Sequence, residues 1–274
     1  MGTWIGHLRV AEHLLAAWPD LDPAAFACGN LAPDCGIPNA DGSAFDPPKV
    51  LTHFLRAGED EGRCQDLVYY RTYLANPATD SDPVRYSLRL GYFCHLVCDN
   101  LWMWRVVRPS KQEYAALFAD RAQFWDRLKR DWYGLDFQYL QDQPASLFWR
   151  VFRPAPNPPP TLPFIPTAAL HAQLDMIRAY YTTLDPEVAP LARPYPYLNA
   201  ATMDRFVADA AQTLLELRQR LQTGAIPPSD SVRDMLPDSQ TASYRSPLGD
   251  VPAEPGVAYG LISPSPSGAA KQER

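Results

Sequence analysis

The stretch VRYSLRLGYFCHLVCDNLWMWRVV, residues 84–107, decides how this chain folds. It contains no proline, and Leu88, Leu90, Tyr92, Phe93, Leu96, Val97, Leu101, Trp102, Met103 and Trp104 leave it apolar on almost every side. A helix apolar all round belongs in the middle of a bundle rather than on its surface. Pro109 is expected to close it, because proline lacks the donor an α-helix needs and clashes with the preceding turn. Two side chains interrupt the apolar run. His95 and Asp99 stand four residues apart, which stacks them on one helical face with Cβ atoms about 5–6 Å apart. A carboxylate inside an apolar bundle is costly unless it is paired or bound to a metal. From this segment alone both outcomes stand: a metal ligand pair, or a structural pairing of Asp99 with His95, Arg89 or Arg105.

Working outward, residues 4–18 repeat Ile5, Leu8, Ala11, Leu14, Leu15 and Trp18 at helical intervals, with Arg9, Glu12 and Asp20 on other faces, and Pro19 ends the run. Residues 29–48 are rich in Gly, Pro, Asn and Asp and read as loop. A short apolar helix follows around Val50–Leu55, then a polar turn through 58–62, then helical stretches at 64–75 and 111–131. Residues 154–166 form a proline-dense extended connector. Two more helices are expected near 167–183 and 201–222. From Gly224 the composition turns to Pro, Ser, Gly and Asp, which predicts a disordered tail over 224–274. No internal repeat and no strand run stands out. The expected architecture is an all-α, multi-helix bundle over residues 1–223 followed by that tail.

Composition narrows the function. The chain has 274 residues, 46% of them hydrophobic and 20% charged, with a formal net charge of -6. That is a globular balance, and no run of Lys and Arg offers the footprint of a nucleic-acid binder. The first residues carry His, Arg and Glu inside the apolar stretch, unlike a secretory leader. Gly6 stands where a myristoylation motif wants Ser or Thr. No stretch approaches about 20 uninterrupted apolar residues, so no transmembrane segment is expected and the cytoplasm is the expected location. The five cysteines are odd in number and lack C-x-x-C spacing, which fits buried thiols in a reducing compartment.

Only five histidines exist, so each position is informative. His7 lies in line with Ala11 and Leu14 on the apolar face of the first helix, whereas His13 falls on the solvent stripe with Arg9. Asp34 sits in GNLAPDCG, residues 29–36, a loop able to aim a carboxylate inward. His53 sits in the tripeptide THF. Each of these is weak alone. Together, three imidazoles and two carboxylates supply the mixed nitrogen and oxygen donors that zinc takes. A further pair, His171 and Asp175, repeats the four-residue spacing; it reads equally as another ligand pair or as a solvated helix face.

The order of His7, GNLAPD ending at Asp34, THF with His53, and LGYFCHLVCD with His95 and Asp99 resembles the zinc-dependent phospholipase C family. That family is similar in fold to the P1-type helical nucleases and shares their trinuclear zinc site. The resemblance spans residues 2–107, and DWYGLDFQYL at 131–140 also looks like its bacterial members. It implies one to three zinc ions. Asp34, His53 and His95 would hold one, Asp99 would bridge from it to another, and His7 would hold that other. Relatives also ligate through their mature N-terminal residue, a part that Gly2 would take here once Met1 is removed. A further histidine lies about six residues past the bridging Asp in the relatives. Here that neighbourhood is Trp102, Met103, Trp104 and Arg105, so a third ion would depend on His171 and Asp175. The implied reaction is hydrolysis of a phospholipid head group or another phosphodiester by zinc-activated water, with Asp34 as the catalytic residue that orients or deprotonates the water. Trp102, Trp104 and Tyr92 could line an apolar approach or pack in the core. Two alternatives remain: a single-strand nuclease on the same scaffold, and a non-catalytic helical metal-binding protein.

Overall fold

Helix starts are written into the sequence as side-chain caps. Thr3, Asp22, Asp82, Asp120 and Asn199 each accept a hydrogen bond from a backbone N–H in the first turn that follows, at Gly6, Ala25, Arg85, Gln123 and Thr202. Such caps satisfy donors that the helix itself leaves orphaned. Pro23 and Pro83 stand directly after two of these caps, where a missing N–H costs nothing.

A computed structural model describes residues 2–39, 44–56, 63–76, 82–159, 161–183, 193–224, 226 and 228–236. Among these the helices are α1 (Trp4–Ala17), α2 (Pro23–Gly29), α3 (Lys49–Thr52), α4 (Asp66–Tyr73), α5 (Pro83–Trp102), α6 (Arg108–Tyr114), α7 (Arg121–Asp142), α8 (Thr167–Thr182) and α9 (Ala200–Gln222). Among the described residues the fold is all-α apart from a two-residue antiparallel pair, Ile37–Pro38 against Phe45–Asp46, and an isolated bridge between Leu55 and Cys64. No helix among the described residues is long and apolar enough to cross a membrane.

Helix α5 occupies the centre, with α1, α2, α4 and α9 packed around it. Fifteen of its residues, Ser87, Leu88 and Leu90 through Trp102, are buried. Its closest neighbour is α2, and the approach is set by two glycines. A Cβ on Gly29 would overlap the carbonyl oxygen of Leu88, and one on Gly91 would overlap that of Phe26. Only hydrogen at these positions lets the two backbones touch. Trp102 and Tyr92 are fully buried and Trp104 nearly so. Trp102 packs against Trp132 and Phe206, and Tyr92 stacks on Tyr69, which assigns them to the core.

Several expectations need correction. Pro109 does not close the central helix. The chain passes through a π-turn at Met103–Val107, where the N–H of Arg108 reaches Met103, and continues into α6 with Pro109 in its first turn. The wider turn shifts the hydrogen-bond register so that the proline's missing donor falls where a new helix begins. Residues 111–131 are not one helix: the rod breaks before Asp120, which caps α7, and α7 then runs to Asp142. The expected loop from 29 is preceded by a helix, α2, that has no long apolar period to reveal it.

Part of the stretch from 224 that composition reads as tail is packed on the bundle. Residues 229–235 dock on the bundle. Val232 donates its N–H to Asp66 Oδ1 at 2.7 Å, and Asn100 Nδ2 donates to Asp66 Oδ2 at 2.6 Å. Ser231 and Val232 are fully buried. Burial pushes the Asp66 carboxyl up to about 7 against these hydrogen bonds. A buried carboxylate and amide needing partners explain why this polar stretch is held. Residues 237–274, the rest of the expected tail, lie outside the described residues.

The glycine contact makes a testable statement. Gly91→Ala would force α2 off α5, an overpacking change that typically costs about 1–3 kcal/mol. Urea unfolding of the variant should show that loss, whereas an exposed control, Ala16→Gly, should lose about 1 kcal/mol or less, the cost of glycine in a helix. An unchanged midpoint for Gly91→Ala would refute the packing account.

Candidate metal centre

Five donors from four places in the sequence meet beside α5. His95 and Asp99 come from its apolar face, and His7 from α1. His53 is the first residue after α3, and Asp34 closes a 3-10 turn, Ala32–Asp34, after α2. Their side chains are almost completely buried; Asp34 is the most open, at 7% exposed.

The separations fit a cation better than mutual hydrogen bonds. His53 Nε2 lies 3.3 Å from Asp34 Oδ1 and 3.5 Å from Asp99 Oδ2. His95 Nε2 lies 3.4 Å from Asp99 Oδ2, and His7 Nε2 3.3 Å from Asp99 Oδ1. Direct N–H···O bonds run about 2.7–3.2 Å. Donors about 2.0–2.1 Å from one tetrahedral ion stand roughly 3.3–3.4 Å from each other. In keeping with this, Nε2 of His7, His53 and His95, Oδ1 of Asp34 and Oδ2 of Asp99 are all buried without a hydrogen-bond partner. Orphaned buried polar atoms are rare and expensive. Five converging in one place could hold a metal ion. Two sets have donor atoms within 4.8 Å of one another: Asp34, His53 and His95, and His7, His95 and Asp99.

The surroundings hold these donors in the required state. His95 Nδ1 lies 2.7 Å from the carbonyl oxygen of Asn30, which can only accept, so Nδ1 carries a proton and Nε2 is turned toward the cluster. His53 Nδ1 is held by Thr52 Oγ1 at 3.0 Å, and the Tyr92 hydroxyl donates to the Thr52 carbonyl, tying α3 to α5. Trp4 Nε1 donates to Asp34 Oδ2 at 3.0 Å, leaving Oδ1 for the cluster. The His7 and His95 rings stack, 3.9 Å between centroids. Gly2 donates its N–H to Asp99 Oδ1 at 2.9 Å, and a Cβ there would come 3.2 Å from His7 Nε2, so the N-terminal arm lies directly on the donor set.

Charge is distributed unevenly. Burial pushes the His7 imidazolium down to about 4, helped by the His95 charge, and burial also lowers His53. His95 moves up: burial opposes its charge, but Asp99 and Asp34 outweigh it. Burial alone would raise both carboxyls. Asp34 is instead held well below the usual range by its contact with His53 and the charge of His95, and Asp99 by the N-terminal ammonium, His95 and His7. The centre therefore holds two ionised carboxylates with His7 and His53 kept neutral, and His95 would have to give up its proton to bind a metal ion.

Sequence reasoning named these five donors and placed Gly2 beside them. The other two candidates are elsewhere engaged. His171 Nε2 bonds to the carbonyl of Pro158 at 2.8 Å, and Asp175 accepts from Asn157 and Arg178. Neither belongs to a donor set among the described residues. His13 is exposed. Trp4, Asn30 and Thr52 were not anticipated. Asn30 acts through its backbone carbonyl and Thr52 through its hydroxyl on the adjacent ring, neither of which leaves a period, and Trp4 was hidden among ordinary apolar helix residues.

The His7 shift carries a sign. Its folded value is lowered from 6.5 to about 4, so the unfolded chain takes up the proton first as pH falls. Stability from neutral His7 is complete above about 6.5 and is lost between there and about 4, on the order of 3 kcal/mol. Urea midpoints of chelator-treated protein should fall over that window. In His7→Gln the slope should be shallower, and an identical slope would refute it.

No protein-family model, no curated protein and no solved structure matches this chain.

Proposed function

We propose that the chain is a zinc-dependent phosphodiester hydrolase of the phospholipase C type, acting on a phospholipid head group or a related diester. The observation that carries this reading is the donor count. Three imidazoles and two carboxylates exceed what one closed four-coordinate structural ion uses, and none of the donors is a thiolate. Asp34, His53 and His95 would hold one zinc, His7 a second, and Asp99 has one oxygen toward each group, so a shared carboxylate would join them. Zinc in such a setting lowers the pKa of bound water to about 7 and neutralises charge on a phosphoryl oxygen.

The chain's own residues supply the rest. Asp34 remains ionised, is oriented by the Trp4 N–H, and is the most exposed carboxylate of the set. It is suited to orient the attacking water and accept its proton. Trp4, Tyr133 and Tyr180 pack edge to face with centroids about 6 Å apart, and the two tyrosines are partly exposed. Beside Asp34 they give an aromatic wall for the organic part of a substrate. The near-complete burial of the donors favours a second reading, a metal-binding protein without catalysis. A nuclease on this scaffold would lack the usual basic track, given a net charge of -6.

Purified protein loaded with zinc should release phosphocholine from phosphatidylcholine vesicles or cleave a chromogenic phosphodiester. Asp34→Asn should lower kcat by about 10²-fold or more, the scale of a lost general base, and His13→Ala should not. Zinc bound in about two equivalents without turnover of either diester would favour the binding protein, and no zinc uptake would sink both readings.

A further inference from the structure

We infer that Asp136 is the positioning residue of the N-terminal arm, holding Thr3 so that Gly2 and His7 are set against Asp99. This rests on the metal reading above and assigns work to the motif DWYGLDFQYL, of which no donor is part.

The two aspartates of that motif have separate tasks. Asp131 accepts from Arg193 Nη1 and from the N–H of Tyr197, both at 2.7 Å, and so fastens the approach to α9 onto α7. Asp136 faces the other way. Its Oδ1 accepts from Thr3 Oγ1 at 2.6 Å and its Oδ2 from the Tyr181 hydroxyl at 2.5 Å. The backbone N–H of Ile5 also reaches it. No lysine or arginine forms an ion pair with it among the described residues, and it is 1% exposed. A carboxyl group placed in an apolar interior needs its hydrogen bonds to be satisfied. Here it is served by the first turn of α1, where unpaired N–H groups and the helix dipole favour an acidic group.

Thr3 passes this hold on to the metal centre. The hydroxyl that donates to Asp136 also accepts from Gly6 N–H at 3.1 Å, as the cap of α1. The carbonyl of Thr3 takes the N–H of His7 at 3.0 Å. On its other side, Gly2 donates to Asp99 and packs on the His7 ring. One residue thus sits between Asp136 and both groups of the second ion, His7 and the N-terminal arm. The first ion's donors come from α5, α3 and the turn after α2, and the start of α1 touches them through Trp4 Nε1 on Asp34 Oδ2 and the His7 ring stacked on His95. Loss of Asp136 therefore falls more heavily on the second ion, whose His7 and N-terminal arm follow Thr3 directly.

Full-length Asp136→Ala, Thr3→Val and Thr3→Ser provide the test, with two readouts. In chelated protein, backbone amides of residues 5–7 should exchange about tenfold faster or more in Asp136→Ala and Thr3→Val, while those of residues 95–99 stay protected. In zinc titrations the weaker equivalent should lose about tenfold to a hundredfold in affinity and the tighter one should lose less. Thr3→Ser, which keeps the hydroxyl, should behave as the parent does. If Asp136→Ala does not fold, Thr3→Val carries the test alone, because the amide oxygen of Asp136→Asn could still accept the Thr3 hydroxyl. Parent-like exchange at residues 5–7, or an equal loss at both zinc equivalents, overturns the inference. If the parent binds no zinc, the hydrolase reading falls and the exchange data alone decide whether Asp136 positions the arm.

Discussion

Everything in this molecule depends on how closely α2 can approach α5. The two backbones meet at Gly29 and Gly91, where any side chain would collide with a carbonyl of the opposite helix. Because they meet there, the carbonyl of Asn30 arrives at His95 Nδ1, and the turn after α2 delivers Asp34 to the same face. The ligand geometry is thus inherited from a steric fact about two residues without side chains. A looser helix pair would leave His95 unoriented and Asp34 misplaced, even with every donor present in the sequence.

A second constraint is electrostatic. Ionisable groups gathered in an apolar bundle are tolerated only where charge is balanced. Asp34 and Asp99 remain ionised because three imidazoles stand within 3.5 Å of one or the other. Two of those imidazoles resist protonation because burial penalises a further positive charge. The result is a cluster in which His95 and the N-terminal ammonium offset the carboxylates, while the donor atoms of His7 and His53 are left without hydrogen-bond partners. Such a donor set could hold a metal ion.

Much of this was legible in the residues. An apolar segment with one histidine and one aspartate four apart announces both the central helix and its unusual face. The rarity of histidine made His7 and His53 worth placing beside them. The supporting partners were not legible, because Asn30 acts through its carbonyl, and a single threonine hydroxyl beside His53 sets no pattern along the chain. His171 and Asp175 show the converse: the same spacing as His95 and Asp99, but on α8 with surface partners at hand. Spacing defines a shared face, and only burial decides what that face must bind. Composition misjudged residues 229–235 for a related reason. A polar segment is held when buried polar groups elsewhere need it.

That last segment has a consequence for the order in which the protein can be completed. Asp66 and Asn100 find part of their hydrogen bonding only in Ser231 and Val232, more than 130 positions downstream of Asn100. Asn100 is the immediate neighbour of Asp99. A growing polypeptide that has not yet supplied Val232 carries unsettled amide and carboxyl groups next to Asp99. Final consolidation around the central rod therefore waits for nearly the whole described chain to be synthesised, and the setting of the donor cluster is completed at a late stage of biogenesis.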